Sequence, residues 1–357
     1  MAFKFQNFDF LHLDSSFSED ELLVRRTARG FVEDNLIPII EECFREGRFP
    51  RELVPKMGEL GFFGATIEGF NCAGMSNVEY GLVMQELERG DSGLRSFVSV
   101  QSALVMYPIY AFGSDAQKNT WLPALAIGEK LGCFGLTEPG FGSNPAGMTT
   151  RARKSGSEYI LNGEKMWITS GTLADLAVIW AKLEEDSGDG PVLGFLVETD
   201  RPGFSAHEVH GKWSLRASST SGLTLQEVHI PAANLLPGAT SLKNALMCLN
   251  QARYGISWGA IGAAMVTAVN SLIEKHGGLK GLVNDLEQKG LGPAVQSWIG
   301  TGENQPIAPN QVNQALGSDT LKELAAKTGM SSDELAAKLA EFLPKAVDKL
   351  TPQGKIA

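Results

Sequence analysis

The spacing of apolar residues changes twice along this chain of 357 residues, near Cys133 and again after Pro237. Before Cys133 the period is helical. Val24, Ala28, Phe31, Val32 and Leu36 share one helix face. Ser18-Glu19-Asp20-Glu21 forms a capping box ahead of them, with Phe17 and Leu22 placed as a hydrophobic staple. Pro38 is expected to bend or end this helix. Pro50 opens the next, with Leu53, Val54, Met57 and Leu60 inward and Gly61 closing it. Further helical patterns cover 78–89 and 98–112.

From Cys133 the period becomes two. Short alternating runs cover 149–153, 159–161, 164–169, 174–183, 192–197, 204–209 and 223–228, and Asn162-Gly163 reads as a hairpin turn. The helical period returns over 242–273. Beyond it, Gly277-Gly278, Gly290-Leu291-Gly292-Pro293 and Thr301-Gly302-Glu303-Asn304-Gln305-Pro306 break the chain into short helices. A second capping box, Ser331-Ser332-Asp333-Glu334, is stapled by Met330 and Leu335 and follows a helix closed by Gly329; Trp298 is the large anchor of this part. The expected fold class is α+β multidomain: a helical domain over 1–130, a β-barrel-like domain over 131–240, the start of a helical domain over 241–267 and a small all-α module over 268–357.

The net charge of −10 argues against nucleic-acid partners and anionic membrane surfaces. Cys43, Cys72, Cys133 and Cys248 lie far apart, with no metal or redox spacing, and read as reduced thiols of the cytoplasm. The histidines form no i,i+4 pair suited to zinc, and the first residues lack the apolar core of a signal peptide. The stretch 254–273 carries no charge, yet Ser257, Thr267, Asn270 and its glycines favour a buried helix over a membrane span; Gly255 and Gly259 would let a second helix pack closely.

Two segments carry the chemistry. Cys133-Phe134-Gly135-Leu136-Thr137-Glu138-Pro139-Gly140-Phe141-Gly142-Ser143 reads as a strand breaking into a turn whose glycines let backbone approach a ligand. Its hydroxyls and consecutive N–H groups suit phosphate. Lys165-Met166-Trp167-Ile168-Thr169-Ser170 ends a strand with an indole and, two residues later, a hydroxyl on the same face. Taken alone, Trp167 reads as a core residue of the β domain and Arg95 as a surface ion pair with Asp91.

Over 8–263 these segments resemble the two flavin motifs of the acyl-CoA dehydrogenase family, and within it the glutaryl-CoA dehydrogenase type. Further matches are Gly69-Phe70-Asn71-Cys72-Ala73-Gly74, Glu88-Arg89-Gly90-Asp91-Ser92-Gly93-Leu94-Arg95-Ser96 and Leu249-Asn250-Gln251-Ala252-Arg253-Tyr254-Gly255-Ile256. The resemblance implies FAD held by Phe134, Gly135, Leu136, Thr137, Glu138, Pro139, Gly142, Ser143, Trp167, Ile168 and Thr169. It implies a glutaryl-CoA substrate contacted by Ser143, Leu246, Asn250 and Arg253, with Arg95 and Ser96 on its distal carboxylate. A guanidinium fork suits that carboxylate. The implied reaction is α,β-dehydrogenation with decarboxylation to crotonyl-CoA, the implied partners an electron-transfer flavoprotein and further copies of the chain, and the implied setting a bacterial cytoplasm.

The family's closing four-helix domain, its Arg-x-Gln-Phe-Gly and Tyr-Glu-Gly-Thr motifs and the glutamate base are not found in the sequence, and Ala252 occupies the alternative base position. Glu138 has no such role in the family, and Glu274 and Glu287 lie outside the resemblance. From 268 to 357 the chain instead resembles the bacterial YidB family, through Gly277-Gly278-Leu279-Lys280-Gly281-Leu282, Gln296-Ser297-Trp298-Ile299-Gly300, Gln314-Ala315-Leu316-Gly317-Ser318-Asp319 and Leu350-Thr351-Pro352-Gln353-Gly354. The chain therefore reads as a fusion. One expectation is a dehydrogenase; the alternative is a catalytically inactive binding or scaffold protein with a YidB-like interaction module. Missing helices would leave apolar surface exposed.

Overall fold

The computed structural model describes residues 16–186, 188–275, 278–300, 302–328 and 331–351. The chain forms two compact units, one of Leu23–Ala260 and one of Ile261–Ala357 with Met1–Leu22. The described chain begins with helices. The Ser18 box is formed, with Glu21 N–H donating to Ser18 Oγ at 3.2 Å and Ser18 N–H donating to Glu21 Oε2 at 2.8 Å. It starts α1, Glu19–Phe31. Of the two outcomes expected at Pro38, a bend or an end, the helical run does not end there. A π-helical turn, Val32–Leu36, passes directly into α2, Ile37–Glu46, where Pro38 sits in the first turn. The helical bonding continues through the junction, Ile37 N–H donating to Val32 O in the π turn.

Next come α3, Val54–Glu59, and α4, Asn77–Gly90, then α5, Ser92–Ser99, capped by Asp91, whose Oδ1 accepts from Leu94 N–H at 3.0 Å. A second π-helical segment, Val100–Met106, joins α5 to α6, Tyr107–Phe112; α7 is Asp115–Ala126. Buried Gln101, in the π segment, donates to Leu125 O and Lys130 O and accepts from Gly132 N–H, all within 3.1 Å. Gly132 opens the sheet here, and a Cβ on it would lie 2.3 Å from Val105. Glycine thus leaves room for the Val105 side chain against the strand backbone.

The strands are β1 Gly132–Gly135, β2 Arg151–Ser155, β3 Glu158–Thr169, β4 Leu176–Glu185, β5 Gly188–Glu198, β6 Phe204–Glu208 and β7 Thr220–Pro231. They form one seven-stranded sheet in the order β1-β4-β2-β3-β7-β6, with β5 on β4. β4 is buried on both faces from Leu176 to Ala181. Leu176, Val178 and Trp180 join the core of the helical domain, while Ala177, Ile179 and Ala181 join a second core inside the curled sheet. Side chains alternate across a strand, so one run of apolar residues serves two cores.

The hairpin expected at Asn162-Gly163 is absent. β3 runs through both residues, and the turn falls between β2 and β3, where Gly156 has φ +57°. Asn162 instead bonds across to Glu227 on β7, accepting its N–H at 2.8 Å. A Cβ on Gly163 would lie 2.4 Å from Thr150 Oγ1, so this glycine serves close packing within the sheet rather than a turn.

α8, Leu242–Lys275, closes this unit with its first part. Gly255 and Gly259 face α4 as their spacing suggested: added Cβ atoms would lie 3.1 Å from Tyr80 Oη and 2.9 Å from Glu88 Oε2. Leu246, Met247 and Ile256 on the same helix remain exposed. No described helix is long and apolar enough to cross a membrane.

The second unit has its own core. α9 Leu279–Leu286, a π-helical turn Glu287–Leu291, α10 Gly292–Ile299, α11 Pro309–Leu316, α12 Ser318–Thr328 and α13 Ser332–Leu350 enclose a cluster from Leu282 to Val347. Trp298 is its buried anchor, with Nε1–H donating to Gln305 O at 2.7 Å. The Ser331 box is formed, Glu334 N–H donating to Ser331 Oγ at 3.3 Å and Leu335 buried. Gly277, Thr301, Gly329 and Met330 lie outside the described residues.

Candidate functional site

In the first unit a cavity of about 370 Å³ opens where four segments distant in sequence meet. The end of β1 and its turn supply Phe134, Leu136, Thr137, Gly142, Ser143 and Pro145; the end of β3 supplies Trp167, Ile168 and Thr169. The π segment and α8 supply Val100, Leu104, Leu246, Leu249 and Arg253. The aliphatic and Phe134 side chains make one wall greasy. The hydroxyls of Thr137, Ser143 and Thr169 and the Arg253 guanidinium are its polar points, and Arg253 is its only lining residue, among the described ones, with an ionisable side chain. Asn250 is not a lining residue; its Oδ1 accepts from Arg253 Nη1 at 2.6 Å.

Trp167 is not a core residue. Its indole is 59% exposed, and its φ of +63° is in the left-handed region that bulky side chains rarely enter. β3 carries an extra residue here relative to β7, since Lys165 pairs with Leu223 and Ile168 with Ser221. A bulge of this kind re-aims a side chain.

Gly135, Glu138 and Pro139 do not line the cavity, although their motif does. A Cβ on Gly135 would lie 2.6 Å from Ile179 Cδ1 and 3.2 Å from Lys165 Cγ, so Gly135 makes room for a lysine stem beneath β1. Glu138 turns inward and is 3% exposed. Its Oε2 accepts from Thr149 N–H (2.6 Å) and Oγ1 (2.8 Å); its Oε1 accepts from Thr150 N–H (2.9 Å) and Oγ1 (2.6 Å) and from Lys165 Nζ (2.9 Å). Burial alone would raise its pKa. The Lys165 charge and the bonds from Thr149 and Thr150 outweigh burial and hold it at about 2. A carboxylate so satisfied is no general base.

Arg95 and Ser96 lie on α5, outside the cavity lining. The expected pair with Asp91 is replaced by an ion pair of Arg95 Nε with Glu88, and Ser92 Oγ donates to the other Glu88 oxygen at 2.5 Å. Ser96 precedes the lining residue Val100 by four positions, which sets it one turn along the same face. Ala252 is buried, away from the lining.

Sequence reasoning missed Val100, Leu104, Pro145 and Leu249. Val100 and Leu104 carried only a spacing of four within an apolar helix, a signal shared with any core residue. It also missed the inward set of Glu138, Thr149, Thr150 and Lys165. All four cysteines are free thiols, and the described residues hold no cluster of metal-ligating side chains.

A helical domain, a curled sheet and a cavity at their junction define a two-domain scaffold that comparison with known proteins identifies. The sequence matches the acyl-CoA dehydrogenase N-terminal domain over 18–129 and the acyl-CoA dehydrogenase middle domain over 133–228. It matches YidB-like protein over 222–357, which takes in part of β7 and all of α8. Among solved structures it is similar to a glutaryl-CoA dehydrogenase from Mycobacterium smegmatis, at 42% identity and a TM-score of 0.74, over 97% of this chain and 81% of that one. A glutaryl-CoA dehydrogenase from the same organism, in complex with FADH2, gives 39% identity and a TM-score of 0.72, over 98% of this chain and 99% of that one. The mitochondrial short-chain specific acyl-CoA dehydrogenase of Rattus norvegicus is 36% identical over 252 residues, 70% of this chain but 61% of the rat protein. The chain belongs to the acyl-CoA dehydrogenase family.

Proposed function

We propose that the cavity binds FAD and an acyl-CoA thioester, and that the chain is a flavoprotein of acyl-CoA dehydrogenase type acting on glutaryl-CoA. The observation that carries this reading is the meeting of both flavin-like motifs with α8 at one cavity. The residues fit the group. An exposed indole held in a strained bulge offers a flat face to an aromatic ring system. Thr137, Ser143 and Thr169 offer hydroxyls that no other described residue engages. Gly142 leaves open space where a side chain would stand. FAD, when bound, supplies the hydride acceptor for α,β-dehydrogenation. Thr169 and Trp167 would hold its ring system, Ser143 and the turn its phosphates, and Arg253, ordered by Asn250, the thioester portion of the substrate. Electron-transfer flavoprotein is the acceptor that the family reading supplies.

Arg95 would receive the distal carboxylate of a dicarboxylic acyl group by exchanging its bond with Glu88. A second reading rests on the lining itself. No carboxylate faces the cavity among the described residues, so they provide a binding site without an evident base. That reading is a protein that binds flavin and thioester without chemistry.

One experiment separates them. The purified chain is expected to take up FAD and turn yellow; a colourless protein that binds no added FAD overturns the flavoprotein reading. Anaerobic glutaryl-CoA is expected to bleach the yellow form, and persistent colour favours binding alone. The Arg95→Met/Glu88→Gln double variant avoids stranding a carboxylate, and is expected to lose any preference for glutaryl over butyryl thioester by about tenfold. Equal binding of the two thioesters by the parent removes the dicarboxylate assignment.

A further inference from the structure

We infer that the buried Glu138–Lys165 pair is a positioning clasp: it ties the turn after β1 to β3 and so sets the bulge that turns Trp167 out into the cavity. Alternation along a strand places residues two apart on the same face. Lys165 is 1% exposed and points into the sheet. A regular β3 would bury Trp167 with it. The extra residue between Lys165 and Ile168 breaks that rule and sends the indole outward. The bulge has an unfavourable left-handed residue at its centre, so something on either side must hold it.

Three consecutive residues of the turn provide that hold. Leu136 O accepts from Lys165 Nζ at 3.1 Å, Thr137 O accepts from Met166 N–H at 2.9 Å, and Glu138 Oε1 accepts from Lys165 Nζ at 2.9 Å. Glu138 is itself fixed by four bonds from Thr149 and Thr150. The lysine therefore reaches beneath Gly135 to a carboxylate that cannot move, and the next two residues follow it. An apolar side chain could fill the same space but would not fix the direction of the chain. Leu136 and Thr137 line the cavity on one side and Trp167 on the other, so the clasp also sets the gap between the cavity's walls. Its consequence for cofactor binding rests on the flavin reading above; its consequence for Trp167 does not.

The test uses the full chain with Glu138→Gln and Lys165→Met together, because either change alone would leave a buried charge unpaired. Acrylamide quenching is measured in the absence of FAD, and the Trp167 contribution is taken as the difference from matching Trp167→Phe variants. The double variant is expected to lower quenching of the Trp167 component about threefold or more, as the indole turns inward. Where the parent binds FAD, its affinity is expected to fall about tenfold or more. Should the double variant fail to fold, Thr150→Val removes one hydroxyl from Glu138 and is expected to shift the Trp167 component in the same direction, with Thr150→Ser restoring it. An unchanged Trp167 component in a folded double variant, or in Thr150→Val, overturns the clasp. A parent that binds no FAD overturns the flavoprotein reading alone and leaves the quenching result to decide.

Discussion

Replacing Glu86 with alanine is expected to destabilise the first unit by about 3–5 kcal/mol, seen as a lower urea midpoint with an unchanged slope. Glu86 lies on α4 and is fully buried. Its Oε1 accepts from Arg25 Nε at 3.2 Å and Arg29 Nη2 at 2.7 Å, and its Oε2 from Arg29 Nε at 3.2 Å and Arg89 Nε at 2.9 Å. Arg89 also reaches Glu33 at 3.4 Å. Burial on its own would raise the Glu86 pKa; the hydrogen bonds and charges of Arg29 and Arg89 outweigh it and hold the carboxyl below its ordinary value. Removing the carboxylate would leave guanidinium groups facing one another in a poorly solvated space. Glu86→Gln keeps the shape and one acceptor oxygen, and is expected to lose less than the alanine variant. Equal midpoints for Glu86→Ala and the parent would show that the arginines find solvent without it.

The contrast between what could and could not be read from sequence has a physical basis. Capping boxes at Ser18 and Ser331 were legible because their partners lie three residues apart and the bond needs nothing else. The two-period pattern was legible because burial imposes it locally, and it located the sheet between helical regions. Pro38 marked a place where the helix changes, but not the form of the change: a π turn precedes it and α2 carries on. Asn162-Gly163 misled because the glycine answers to Thr150, the residue just before β2 on the neighbouring strand, which sequence order does not reveal. At the site, the motif residues came through, but the direction of each side chain did not. Trp167 and Lys165 stand two apart and should share a face; one inserted residue separates them. Glu138 sits inside a motif read as cofactor-binding, yet its partners at 149, 150 and 165 turn it away from the cavity.

Acid is expected to weaken the parent more steeply than the Glu138→Gln/Lys165→Met variant. Glu138 is held at about 2 in the folded chain, against an ordinary value of 4.5. A depressed carboxylate contributes stability that is complete above the unfolded value and is lost as pH falls toward the folded one. The window therefore runs from about pH 5 down to about pH 2, and at about 1.4 kcal/mol per unit the contribution at stake is about 3 kcal/mol. Lys165 does not blur this window. Burial lowers its pKa to about 8 against the opposing pull of Glu138, and it stays protonated throughout acid conditions. Glu86 has the same sign, and it remains in both proteins, as do the surface carboxylates, so the difference between the two acid slopes isolates the clasp. Urea midpoints measured in steps between about pH 6 and about pH 3 should converge as pH falls, since the parent alone loses the contribution of a carboxylate that four bonds from Thr149 and Thr150 and the Lys165 ion pair keep charged. Parallel slopes would mean that Glu138 gains no more from ionisation in the folded chain than in the unfolded one, and would remove the electrostatic half of the argument for the clasp while leaving its geometry to the Trp167 measurement.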